Sequence, residues 1–319
     1  MKKTFILIIV FLLVLPVLLA GGCRDTSIQS ELKLVTPPEK IDPQSYRELS
    51  QLLSNLGYTW KNARQGVPNF ILTRLPEDME QITQPKTKKR LFFLSLLPMA
   101  IMINEEILAQ RASLTEILDK LTNNRPVTEH EVDQLRDLAR SYKVKTDPLS
   151  DPQARQLLLN RVDIVPPALL LAQAANESAY GTSRFAQRAN NLFGEWTFIP
   201  GTGLVPEDRP AGERYEVRLF PNLMASLKSY VDNINTHWAY SELRSTRLQL
   251  RNAGERLTGQ ALAPGLELYS ARRLDYVDEI VNIIRYNRLS QFNDVKLRSV
   301  SVHQLYRRPK PTQLVRSFQ

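Results

Sequence analysis

The segment PALLLAQAANESA, from Pro167 to Ala179, constrains the fold of this chain more than any other stretch. Between Ala168 and Ala175 it is apolar on nearly every side of a helix, so it has no face to offer water and must be enclosed by other elements. Pro166-Pro167 stands where proline is tolerated, at the first helical turn. Gly181 then lets the chain turn at the end of the helix, near Ala179. Whatever this chain folds into is built around that helix.

The remaining signals are mostly helical, and the expected class is mainly α. Tyr46, Leu49, Leu52, Leu53 and Leu56 recur at helical spacing over 44–55, with Gly57 as a stop. Residues 58–84 read as irregular, with a short strand at Phe70-Ile71-Leu72. The apolar run Leu91 to Ile103 contains Pro98 and reads as a buried, kinked helix rather than a membrane span. Ser113 with Glu116, and Thr128 with Glu131, have the spacing of capping boxes that open helices. The second of these helices carries Val132, Leu135, Leu138 and Tyr142 on one face. Residues 197–215 collect Pro200, Gly201, Gly203, Pro206, Pro210 and Gly212, which reads as a long loop or small hairpin. Helices resume from Leu223 to Ile234, and a last one bears Leu274, Val277, Val281 and Ile284. The run 86–90 (KTKKR) reads as a solvated face.

The N-terminus has the layout of an export signal. Lys2 and Lys3 precede an apolar run from Phe5 to Ala20, then Gly21 and Gly22. That run is short of the ~20 apolar residues of a membrane span. Cys23 follows directly and is the one cysteine of the chain, so no intramolecular disulfide forms. A cysteine just past small residues resembles the bacterial lipobox, although Ala20 stands where leucine is usual; an ordinary signal peptide with an incidental cysteine is the alternative. The expected division is a signal peptide (1–22), a lipidated tether (23–43), an N-terminal helical extension (44–86), a catalytic domain (87–292) and a basic tail (293–319). Arg24 after the cysteine, by analogy with enterobacterial sorting, favours the outer over the inner membrane for a lipoprotein facing the periplasm. The net charge of +9 suits an anionic polymer. Export argues against nucleic acid, and peptidoglycan, which carries carboxylates, fits both facts.

Glu177 is expected about one turn before the end of the buried helix, flanked by Ala174, Ala175, Ser178 and Ala179. These small neighbours leave room for a ligand against the carboxyl group. Partial burial and the negative end of the helix dipole both disfavour its anion. A carboxylic acid held protonated near neutrality is what glycoside hydrolysis uses to protonate a leaving oxygen. A solvent-facing glutamate at a helix terminus is the ordinary alternative.

Around it, Glu177-Ser178, Gly181-Thr182-Ser183 and Asn190-Asn191-Leu192-Phe193-Gly194 resemble the signature of the β-N-acetylglucosaminidase domain of glycoside hydrolase family 73. Arg161-Val162-Asp163-Ile164, Asn235-Thr236-His237 with Ala239-Tyr240, and Tyr269-Ser270 leading to Tyr276 are similar to its Bax-like subgroup from Gram-negative bacteria. The resemblance covers residues 87–290. It implies a lysozyme-like helical domain with a small β-hairpin lobe closing one side of a cleft. It further implies cleavage of the β-1,4 bond after N-acetylglucosamine in glycan strands, with Glu177 as general acid. Phe193 and Gly194 would shape the cleft floor, and Tyr230 and Tyr269 fall where the family places aromatic side chains near the sugar. Both tyrosines are read equally as core packing, and Asn190 and Asn191 equally as turn residues.

The second carboxylate stays open among Glu195, Glu207, Asp208, Glu213 and Glu216. Glu216 is favoured, because Tyr215 to Phe220 reads as a strand returning beside the cleft; attack by the substrate's own acetamido group would need no such residue. Some relatives have a cysteine pair in this loop where Thr197 and Thr202 stand here, so a more mobile lobe is expected. No cofactor and no metal are expected, since His237 has no Cys or His partner nearby. A lytic transglycosylase acting on the same polymer and a non-catalytic peptidoglycan-binding protein are the competing readings.

Overall fold

The helix that opens at Pro166-Pro167 spans Pro167–Glu177, and every residue from Pro167 to Ala175 is buried. A computed structural model of the chain describes residues 37–300 and 302–305. The expected signal peptide, Cys23 with most of its tether, and the tail beyond residue 305 lie outside the described residues.

In chain order, β1 (Glu39–Ile41) leads into α1 (Tyr46–Asn55), which Ser45 caps by accepting from the Glu48 N–H. Beyond Gly57, at φ +60°, come β2 (Val67–Pro68) and β3 (Phe70–Leu72), the strand expected there. β1 pairs with β3 in parallel. Next is α2 (Pro85–Thr122), 38 residues long, with Pro85 in its first turn and Pro98 inside it. Leu91 to Ile101 is buried throughout, and 78% of the helix's most apolar window lies inside the protein. Its length and hydropathy would suit a membrane span, but its apolar surface is already covered by protein.

The structure corrects one helix start. Ser113 lies inside α2 and opens nothing, because Leu114 and Ile117 continue the buried face of that helix. At Thr128 the capping box is real, and it opens α3 (Glu129–Ser141). Leu135, Leu138, Ala139 and Tyr142 of α3 pack with Leu114 and Ile117 of α2 and with Ala154 and Leu158 of α4 (Pro152–Arg161), forming a satellite core.

The helix Pro167–Glu177 is α5, followed by α6 (Arg184–Ala189). Then β4 (Trp196–Thr197), β5 (Gly203–Leu204) and β6 (Glu216–Arg218) form an antiparallel sheet in the order β4-β6-β5. This is the small lobe. It is followed by α7 (Leu223–Thr236), α8 (Ser241–Asn252), α9 (Gly259–Leu262) and α10 (Leu274–Tyr286). α10 buries Tyr276, Val277, Ile280 and Ile284, whereas Leu274 is exposed. The chain is mainly α with a small strand lobe, consistent with a lysozyme-like helical fold.

The two ends of the described chain are built into the main core rather than standing apart. Ile41, Leu49, Leu53, Tyr58 and Phe70 share one cluster with α5 and with Leu305. β7 (Leu297–Arg298) pairs in parallel with β2, and α11 (Val302–Leu305) ends where Leu305 O accepts from Asn55 Nδ2 at 2.8 Å. Val300 and Leu305 give this basic segment enough apolar surface to dock, which its charge had masked.

Asp163 ties the helices beneath α5 together. Its buried carboxylate accepts two hydrogen bonds from Arg251, at 3.0 and 2.7 Å, and lies 3.6 Å from Arg111 and 3.9 Å from Arg247. Burial pushes this carboxyl up, but the Arg251 hydrogen bonds and the Arg247 and Arg111 charges outweigh it and hold it below the ordinary carboxylate range.

Candidate active site

Glu177 is the last residue of α5, a full turn closer to the helix end than the sequence suggests. The helix stops there because Ala179 and Tyr180 both take left-handed backbone conformations, at φ 51° and 56°. Ser178 secures the turn: its hydroxyl donates to Ala174 O at 2.5 Å and accepts from the Gly181 N–H at 2.8 Å. Gly181 is required twice over. Its φ is +79°, and a Cβ there would lie 2.3 Å from a methyl of Leu75. The Glu177 carboxylate is thereby placed at the negative end of the helix dipole.

A directed chain of hydrogen bonds converges on that carboxylate. The Tyr230 hydroxyl donates to Gln173 Oε1, Gln173 Nε2 donates to the Tyr276 hydroxyl at 2.9 Å, and the Tyr276 hydroxyl donates to Glu177 Oε1 at 2.8 Å. Gln173 is one turn before Glu177 on the same face of α5 and fully buried, so it carries the link from α7 to α10 through the core. Burial pushes the Glu177 carboxyl above its ordinary value, and the hydrogen bonds from Tyr276 and Asn176 offset only part of that. The result is an acid that holds its proton to higher pH than a free glutamate and has one oxygen fixed in space.

The aromatic residues divide into supports and candidate contacts. Phe193 stacks on Tyr230 with ring centroids 4.0 Å apart and planes 13° apart. Both are buried, and the Tyr230 hydroxyl is committed to Gln173, so Tyr230 supports the site from within. Tyr269 is only partly buried and stacks on Tyr276 at 5.3 Å, with Tyr240 at 6.0 Å. It keeps an edge available beside Glu177's partner. At Gly194, φ is +68° and a Cβ would meet nothing within 4 Å.

Of the two readings for Asn191, the geometry takes the turn. Asn191 is buried, its Nδ2 donates to Glu195 O and Arg218 O, and its Oδ1 accepts from the N–H groups of Phe193 and Glu195. All its polar atoms are used in joining the turn to β6. Asn190 is likewise a turn residue, left-handed at φ 51°, with Nδ2 donating to Phe220 O.

Among the lobe carboxylates, Glu216 is engaged inside the lobe. Its oxygens accept from the Gly201 N–H at 3.0 Å and the Gly203 N–H at 2.8 Å, and these donors hold its carboxyl below the ordinary range despite an opposing burial effect. Glu207 pairs with Arg184 at 3.3 Å in the open. Glu195 differs from both. Its Oε2 accepts from the Ser229 hydroxyl at 2.6 Å, while its Oε1 is buried with no partner among the described residues. Burial pushes the Glu195 carboxyl up, against the Ser229 hydrogen bond and the Arg218 charge. Both Glu177 and Glu195 act electrostatically on Tyr240, whose hydroxyl is pushed up to about 12, chiefly by burial.

Where some relatives have cysteines, the Thr197 and Thr202 hydroxyls lie 2.9 Å apart in a hydrogen bond, so the lobe keeps a polar cross-link at that point. Trp196 and Tyr215 stack at 4.5 Å on its exposed surface. No group of three His, Cys, Asp or Glu residues that could hold a metal ion occurs among the described residues. Gln173 and Ser229, which bond to the Tyr276 hydroxyl and to Glu195, are residues that motif reading leaves out, while Tyr240 and Tyr276 enter it only as part of the resemblance. Gln173 carried a signal, as the one polar residue between Ala168 and Ala175.

Residues 152–289 match the Glucosaminidase family model, described as mannosyl-glycoprotein endo-beta-N-acetylglucosaminidase. The chain is also 36% identical over 143 residues to Protein bax of Escherichia coli (strain K12), a match covering 45% of this chain and 50% of that protein. The matched region spans about half the length of that relative. No solved structure matches the chain.

Proposed function

We propose that the protein hydrolyses peptidoglycan at the β-1,4 bond after N-acetylglucosamine, with Glu177 as general acid. The observation that carries this reading is the state of Glu177: its carboxyl is raised by burial and fixed through Oε1 by Tyr276. The carboxyl gives its proton to the glycosidic oxygen as the bond to the anomeric carbon breaks. The glucosaminidase match supports a glycoside hydrolase, and the basic charge suits a carboxylate-bearing polymer.

Glu195 is the better-supported base. Its Oε1 has no hydrogen-bond partner among the described residues, so a water brought to this carboxyl on substrate binding would find that oxygen uncommitted. Glu216, the favourite from sequence, is a weaker base in this conformation because backbone donors already stabilise its anion. A carboxylate poised to activate water also favours hydrolysis over transglycosylation, which needs no water. Lipidation of Cys23 and a periplasm-facing station at the outer membrane complete the proposal, on the lipobox resemblance.

Mass spectrometry of products from purified peptidoglycan tests the reaction. Reducing-end N-acetylglucosamine is expected. Anhydro-sugar products would assign a lytic transglycosylase instead, and an undigested polymer with measurable binding would assign a non-catalytic binding protein.

A further inference from the structure

At the other end of α2 from the satellite core, a cleft of about 690 Å³ opens between the start of α2, the turn at Ala63–Gln65 and the end of α10. Six cations line it: Lys61, Arg64, Lys86, Lys89, Arg90 and Arg288. No Asp or Glu is among its lining residues. Some exposed arginines elsewhere on this protein are matched with acids, as in Arg74–Asp42, Arg125–Asp119 and Arg272–Glu279, while others, such as Arg188 and Arg214, stand singly rather than gathered in one cleft. Lys61, Arg64, Lys86 and Arg288 have no such ion pair among the described residues. Gathering so many like charges into one concave site destabilises the fold by mutual repulsion, which a bound anion would relieve.

The walls hold part of this charge in place. The Lys89 ammonium lies 5.0 Å from the centre of the Tyr180 ring and the Arg90 guanidinium 5.8 Å from that of Trp60. The positive end of the long α2 dipole adds to the same field, and Gln84 there makes no side-chain cap. Trp60 and the exposed Tyr286 supply apolar surface beside the cations. The volume falls within the ~300–1,000 Å³ of small-molecule sites. None of the lining residues belongs to the Glu177 site, although Lys89 rests on Tyr180 of the turn that follows Glu177. Tyr286 is ten residues along α10 from Tyr276, about 15 Å at the rise of an α-helix.

We propose that this cleft is a second binding site, one that takes a phosphate-bearing ligand. A peptide carboxylate brings a single negative charge, whereas a phosphate monoester brings about −1.5 to −2 with three acceptor oxygens, the better match for clustered arginine and lysine donors. The phosphate is that of a soluble ester or of a lipid headgroup.

The test uses the purified full-length chain beside a Lys86→Glu/Arg288→Glu variant, with Lys61→Gln/Arg64→Gln as a second, milder one. Thermal unfolding checks that each is folded. Calorimetric titration with pyrophosphate at fixed ionic strength should show saturable binding, weakened about tenfold or more in the variants through loss of charge-assisted bonds. Cleavage of peptidoglycan should be unchanged. Flotation with phosphatidylglycerol-containing vesicles, against phosphatidylcholine vesicles, identifies the source. Greater binding by wild type than by variants, competed by pyrophosphate, assigns a lipid headgroup; pyrophosphate binding without that difference assigns a soluble ester. Because the variants keep the apolar N-terminus, its own membrane affinity cancels. If folded variants bind both probes as well as wild type, or wild type binds neither, the proposal is overturned.

Discussion

The Tyr276 hydroxyl donates a 2.8 Å hydrogen bond to Oε1 of Glu177, joining the middle of the core to the end of its central helix. That bond stabilises the carboxylate, so it lowers the Glu177 pKa against the burial that raises it. Tyr276→Phe should therefore raise the Glu177 pKa further. Since the acid works in its protonated form, the alkaline limb of the kcat profile should move to higher pH. At the optimum, kcat should fall about tenfold as the carboxyl loses its fixed orientation. A pH–rate profile of the variant checks both effects. An unmoved limb would mean that Glu177 does not set it.

The two lobe glutamates should separate by mutation. Glu195→Gln should lower kcat by roughly 10²–10⁴ with little change in KM, as expected for loss of a general base. Glu216→Gln should instead loosen the turn at Gly201–Gly203, seen as faster proteolysis of the lobe, with a smaller effect on kcat. Proton NMR of freshly released sugar, read before mutarotation, should show inverted configuration if Glu195 activates water. Retained configuration with both variants mild would move the role to the substrate's acetamido group.

These contrasts show what the sequence could and could not disclose. α5 and the capping box at Thr128 were legible because each rests on local chemistry: an all-apolar helix, and a side chain three residues from its partner. Glu177 was legible for the same reason. Ser113 and Glu116 have identical local chemistry, yet the burial of Leu114 and Ile117 carries α2 straight through them. That Glu216 is the carboxylate taken up by the Gly201 and Gly203 N–H groups is a contact between the turn and β6 that no spacing encodes. The docking of residues 297–305 was hidden similarly, since its strand partner lies more than two hundred residues earlier.

Asp163 should prove a stability residue rather than a catalytic one. Asp163→Asn leaves Arg111, Arg247 and Arg251 facing each other without their counter-charge, a loss of about 3–5 kcal/mol for a broken buried ion pair. The folded-state pKa is depressed, so this stabilisation is present above the unfolded carboxyl value of about 3.9 and lost as pH falls through the folded value. Urea unfolding at pH 7 should separate variant from wild type widely, and the gap should close below pH ~4. A gap that persists undiminished in acid would show that packing, not charge, is what the substitution removes.

The central claim is that Glu177 delivers the proton to the leaving sugar. Turnover of purified peptidoglycan by Glu177→Gln, with circular dichroism and thermal unfolding matched to wild type, measures it most directly. A fall of roughly 10²–10⁴ in kcat is expected, with the polymer still bound. Wild-type turnover by the folded variant would contradict it.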